Sequence, residues 1–208
     1  LIFRNQKKDD ILICNVQCLP ESAICPSTLL KAGVNEPDTE LCVAEEPDGT
    51  WIHFRDKAYR IPVDEIRLLG QHNYFDIGVV YGVCSILGMD DGAFTAGLKT
   101  YEPLPHRLQY LGERDGVKYY DDSISTICDT TIQALKTLKD TDTVLIGGMD
   151  RGIDYRELIE YLSECQVRHI ILMEATGKRI YQEIYKFYPE FKDRPRLILA
   201  EHLEDGVR

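Results

Sequence analysis

Hydrophobic positions along the chain first form a short run, then alternate, then take up helical spacing. Residues 11–16 are a continuous apolar stretch rich in β-branched side chains, which predicts a buried strand. Residues 20–32 read as a helix. Residues 39–44 and 51–61 alternate between apolar and polar on either side of Pro47-Asp48-Gly49, a β-hairpin signature. Residues 73–87 and 90–101 have apolar positions at helical spacing, and Asp90 or Asp91 can cap the second helix. Pro103 and Pro105 then stiffen the segment Leu104-Pro105-His106-Arg107. A domain boundary is expected there, dividing the chain into 1–106 and 107–208.

Beyond it the rhythm changes. Residues 108–121 hold two strand-like runs around Asp115-Gly116, again a hairpin. Helical patterns at 129–138, 155–165 and 178–187 then alternate with apolar runs at 143–146, 169–173 and 196–200. Alternation with short links predicts an α/β fold, a Rossmann-like doubly wound parallel sheet. Ligands of such sheets sit at the carboxyl ends of strands. That rule singles out 121–126 and 147–152.

Composition narrows the function classes. Hydrophobic residues at 44% and charged residues at 28% allow a packed core and argue against disorder. A formal net charge of -11 with no basic stripe excludes nucleic acid as an expected partner. The seven cysteines form no CxxC and no zinc-ribbon spacing, so they read as free thiols in a reducing compartment. No run approaches the ~18 apolar residues of a membrane span, and no membrane partner is expected. The chain opens on Leu1 close to a strand and stops in a helix start, so both ends read as cut.

Four short segments carry candidate chemistry. Gly70-Gln71-His72-Asn73 opens a helix, with Asn73 and Asp76 on one face. An amide there can read an adenine edge through donor and acceptor together, although capping accounts for the same residues. Arg107 in the proline segment can reach a phosphate, or is a surface charge. Asp121-Asp122-Ser123-Ile124-Ser125-Thr126 offers acids and hydroxyls for a ribose, a metal or an amine, and equally for simple N-capping. In Gly147-Gly148-Met149-Asp150-Arg151-Gly152 the glycines permit close backbone approach, and Arg151 is a fork suited to a carboxylate.

Taken in order, GQHN, LPHR, DGVKYYDDS-x-S-T and LIGGMDRGIDY resemble the Mur ligase family. The resemblance covers nearly the whole chain and is strongest over 69–155. It implies the end of a central ATPase domain over 1–106 and a truncated C-terminal glutamate-ligase domain over 107–208. It further implies a monomeric enzyme of the bacterial cytoplasm that uses ATP and Mg2+ to join glutamate to UDP-N-acetylmuramoyl-L-alanine through an acyl-phosphate. By motif, Asn73 and Asp76 resemble adenine contacts, Arg107 a nucleotide contact beside the hinge, and Asp122 the acid at the ribose. Thr126 and Arg151 fall where the family holds the incoming glutamate. The magnesium ligands are expected upstream of Leu1, and no catalytic residue is assigned within the chain.

The chain also departs from the family pattern. Asp121 replaces an Asn, Ile124 a Lys, Arg151 a Lys and Asp76 a second Asn. The resemblance implies D-glutamate addition; the changes at 124 and 151 bear on the amino-acid pocket and make an L-glutamate-adding sister branch the alternative. A non-catalytic nucleotide-binding α/β module is the alternative from another class. With no GxxGKT phosphate loop in the sequence, the 208-residue chain by itself is expected to show no ligase turnover. Phosphate release by the purified chain, given ATP, glutamate and the muramoyl substrate, would refute that expectation.

Overall fold

Ile11–Asn15 (β1) extends because its β-branched and apolar side chains fill a half-buried sheet position. The computed structural model describes residues 2–19, 24–189, 191 and 196–206. It divides into two compact units, Leu1–Leu104 and Pro105–Arg208.

The first unit is built on a five-stranded sheet of order β1-β2-β3-β4-β5. Thr28–Val34 (β2) pairs in parallel with β1 and with Leu41–Glu46 (β3). Gly49–Phe54 (β4) and Lys57–Arg60 (β5) continue antiparallel. The helix expected over 20–32 is therefore corrected: 28–32 is strand, and 20–23 lie outside the described residues. A position between two partner strands overrides the local pattern. The 51–61 run is likewise two strands, turning at Arg55, whose φ is 57°.

Gln71–Ile86 (α1) covers the sheet, and the fit depends on two glycines four residues apart. A Cβ on Gly78 would stand 2.5 Å from Val43 Cγ2, and one on Gly82 would stand 2.7 Å from Leu41 Cδ1. Asp91–Thr100 (α2) starts where Asp90 Oδ1 accepts the Ala93 N–H at 3.0 Å. It is pinned by Phe94, which meets the rings of Tyr59 and Tyr81 edge-on at 5.3 and 5.2 Å. The Tyr81 hydroxyl donates to Asp91 Oδ1 at 2.9 Å; burial and that carboxylate push it up to about 12.

The second unit opens with a hairpin, Gln109–Arg114 (β6) and Val117–Asp121 (β7). Cys128–Thr137 (α3), Thr143–Ile146 (β8), Arg156–Glu164 (α4), His169–Met173 (β9), Glu174–Phe187 (α5), Arg196–Ala200 (β10) and Leu203–Gly206 (α6) follow. Strands β8, β9 and β10 are neighbours in chain order and all parallel. On one face Ile146, Ile170 and Leu172 share a core with Leu158, Ile159, Ile180 and Ile184 from α4 and α5. On the other, Gly206 of α6 meets Ile171 and Leu145. Helices thus cover both faces of a parallel sheet, as the alternation predicts. Among the described residues, no helix is long and apolar enough to cross a membrane.

Residue Gly177 of α5 lies against backbone: a Cβ there would stand 2.6 Å from the carbonyl carbon of Leu172. Gly97 of α2 has open space around it. Gly177→Ala is therefore expected to lower stability by roughly 1–3 kcal/mol, since the strand must move. Gly97→Ala should raise it by roughly 0.5–1 kcal/mol through helix propensity. Urea unfolding of the two variants reads both signs, and equal effects would contradict the packing described.

Candidate functional site

In the second unit two of the sequence motifs meet. Asp121 and Asp122 end β7, and the proline segment lies against them. His106 Nδ1 and Asp121 Oδ2 are 2.7 Å apart, and Asp121 Oδ1 accepts the Ser123 N–H at 2.9 Å. These two bonds, the histidine's first, hold the Asp121 carboxyl down at about 2. The neighbouring Asp122 Oδ1 accepts the Leu108 N–H at 2.9 Å, and its Oδ2 accepts the Ser125 hydroxyl. The Ile124 N–H donates to the His106 carbonyl at 3.2 Å. His106 and Leu108 take left-handed backbone, φ 65° and 44°. The turn is thus bonded to both acids, and Arg107 lies in its middle, half-buried.

This arrangement changes one expectation. Residues 121–126 follow a strand of an antiparallel hairpin, not of the parallel sheet. The rule about parallel strand ends therefore does not apply to them. It does apply to 147–152, which follow β8.

The 147–152 loop is shaped by Asp150. Its Oδ1 accepts from the Gly152 N–H (2.9 Å), the Tyr155 hydroxyl (3.2 Å) and Arg179 Nη1 (3.0 Å). The Gly152 N–H leads the causes that hold the carboxyl below its usual range, with Arg179 and Tyr155 contributing. Gly148 and Gly152 are both left-handed, φ 108° and 70°, which supplies the tight path. From α5 the Thr176 N–H donates to the Gly148 carbonyl at 3.0 Å. Arg151 next to Asp150 faces solvent.

The two loops are tied through the start of α3. Cys128 Sγ donates to the Asp154 carbonyl at 3.3 Å, and burial pushes that thiol up. The tie stands two residues beyond Thr126 and three beyond Arg151. Thr126 itself is exposed and precedes α3.

The remaining two sequence candidates belong to the first unit. Asn73 is buried in the first turn of α1, where its Nδ2 donates to the Leu69 carbonyl at 2.6 Å. One amide hydrogen is thus spent on the helix entry, in keeping with capping. Asp76 is exposed on the same helix. Among the described residues no group of three or more His, Cys, Asp or Glu is placed to hold a metal ion.

Sequence reasoning passed over His106 and Arg179. His106 pairs with a carboxylate 15 positions away and Arg179 with one 29 away. Neither separation leaves a local trace. The Asp150–Gly152 turn, by contrast, is legible as Asp-x-Gly.

No protein-family model matches the chain. It is 35% identical over 152 residues to a UDP-N-acetylmuramoyl-L-alanine--L-glutamate ligase of Xanthomonas campestris pv. campestris, covering 70% of this chain and 32% of that protein. It is 27% identical to a UDP-N-acetylmuramoylalanine--D-glutamate ligase of Thermoanaerobacter sp., covering 100% of this chain and 45% of that protein. The chain therefore spans less than half the length of these relatives. Among solved structures, MurF ligase from Thermotoga maritima in complex with ADP matches with a TM-score of 0.66 at 16% identity, covering 100% of this chain and 53% of that one. That likeness shows the fold.

The Asp121 carboxyl is depressed in the folded state, so its stabilising contribution is present above about pH 4, its ordinary range. That contribution is lost as pH falls through about 2. Asp121→Asn is expected to unfold more easily than the parent above pH 4 and to converge with it towards pH 2. A constant difference in urea midpoint across that range would contradict the His106–Asp121 account.

Proposed function

Because the chain belongs to the Mur ligase family, we propose that it is part of an ATP-dependent ligase adding D-glutamate to UDP-N-acetylmuramoyl-L-alanine in peptidoglycan synthesis. The similarity to a D-glutamate ligase across the whole chain carries this reading. In it, the first unit is the later part of the central ATPase domain and the second the C-terminal glutamate-ligase domain. The enzyme acts as a monomer in the bacterial cytoplasm.

Taken unit by unit, the residues present suit parts of a nucleotide by chemistry. Asn73 keeps an amide oxygen and a second N–H able to meet a base edge. Each Asp122 oxygen takes one hydrogen from the protein and has lone-pair capacity left for a ribose hydroxyl. Arg107 suits a phosphate by charge and planarity, and Asp76 extends the base contact. Bound ATP, with Mg2+ held by ligands outside this chain, supplies the phosphoryl group that activates the substrate carboxylate for attack by the glutamate amine. What this chain contributes is positioning. Arg151 offers two parallel N–H donors to a glutamate carboxylate, and Thr126 a hydroxyl.

A second reading, addition of L-glutamate, is favoured by one observation: the higher identity, 35%, is to an L-glutamate ligase. Phosphate release by the intact ligase containing this chain, given ATP, the muramoyl substrate and either enantiomer, decides between them. Preference for D-glutamate supports the first reading and preference for L-glutamate the second; release with neither overturns both. In that enzyme Arg151→Ala is expected to raise KM for glutamate roughly 10- to 100-fold, the worth of a charged hydrogen bond, with KM for ATP little changed. An unaltered glutamate KM would remove Arg151 from the site.

A further inference from the structure

Within its own sequence the loop that carries Arg151 is held by the Asp150–Gly152 turn. It contains two glycines in left-handed backbone and no regular structure, and Met149 and Arg151 are exposed. Such a segment is conformationally free unless something fixes it. The structure shows what does. Asp150 turns inward and gathers the Gly152 N–H, the Tyr155 hydroxyl and the Arg179 guanidinium. Arg179 is aimed in turn: its Nε donates to Glu183 Oε1 at 2.9 Å, one helical turn along α5. Its guanidinium carbon also stands 4.9 Å from the centre of the buried Tyr155 ring. A planar cation is thus held on one side by a carboxylate, on another by an aromatic face, and directs Nη1 at both Asp150 oxygens, 3.0 and 3.3 Å away. Arg179 is only one-third exposed, so this pairing is less screened than an ion pair on the open surface.

We propose that Arg179 is a positioning residue for amino-acid recognition: by bracing Asp150 from α5, it fixes the loop that presents Arg151 to the carboxylate of the incoming glutamate. The step from brace to glutamate rests on the reading of Arg151 given above; the brace itself does not. Arg179 touches no substrate in this scheme. Asp150 and Arg151 are adjacent, so holding the first inward holds the backbone from which the second leaves. Displacement of such a group by an ångström is enough to cost a large factor in recognition.

Two measurements test this. In the intact ligase, Arg179→Met is expected to raise KM for glutamate on the order of 10-fold, with smaller changes in kcat and in KM for ATP and the muramoyl substrate. Arg179→Lys, which keeps a cation but loses the fork, should recover part of the loss. In an Arg151→Ala background Arg179→Met should add little, because the residue it positions is gone. An equal rise in every KM, or an undiminished effect without Arg151, would overturn the positioning role and leave Arg179 a structural residue.

The brace is read separately on the 208-residue chain by tryptic cleavage at the Arg151–Gly152 bond, followed by mass spectrometry under native conditions. Cleavage there should accelerate in Arg179→Met relative to other sites, and an unchanged relative rate would overturn the brace. If wild-type ligase used neither enantiomer while the cleavage result held, the glutamate reading would fall and the brace would stand.

Discussion

Leu172 of β9 and Gly177 of α5 come close enough that no side chain fits between them. This contact sets the position of α5 along the sheet, and much of the second unit follows from it. With the helix seated there, the Thr176 N–H reaches the Gly148 carbonyl, and Arg179, nearly a turn further on, reaches Asp150. Met173 crowds Gly147 from the same strand end, with the Met173 carbonyl oxygen 3.1 Å from where a Cβ would stand. A glycine at the exit of β8 and another in the first turn of α5 thus let a helix and a loop share one small space. Glu174, in left-handed backbone at φ 55°, makes the abrupt turn from strand to helix that this seating requires.

Local patterns made most elements legible. The hairpins at Asp48-Gly49 and Asp115-Gly116 and the cap at Asp90 are written in two to four residues. The strand at Thr28–Val34 was not, because its extended form comes from partners on both sides. Residues 121–126 depart from the sequence expectation for a related reason. A strand's direction relative to its neighbours decides whether its end is a parallel-sheet exit, and that is a property of pairing. In the candidate site, residue types were legible and their uses were not. Asp122 reads in the sequence as a ribose contact or a cap, and in the structure both its oxygens also hold the loop together.

Of the departures from the family pattern, Ile124 and Arg151 differ in kind. The loop at Ile124 is held by its backbone N–H, and the residue is 41% exposed. A change of side chain there alters what the surface offers and leaves the loop's own bonds intact. Arg151 is placed by its neighbours, Asp150 before it and Gly152 after it. Chemistry at 151 can therefore vary while its direction is kept.

The order β8, β9, β10 across the sheet repeats the order along the chain. β9 pairs with β8 and β10 with β9, each with the strand completed just before it and separated from it by a single helix. As the polypeptide leaves the ribosome, this part of the sheet can grow outward one strand at a time, with each new edge covered by the next arrival. No earlier strand of this group has to wait for a distant sequence, which shortens the time an unpaired parallel edge is open to other chains.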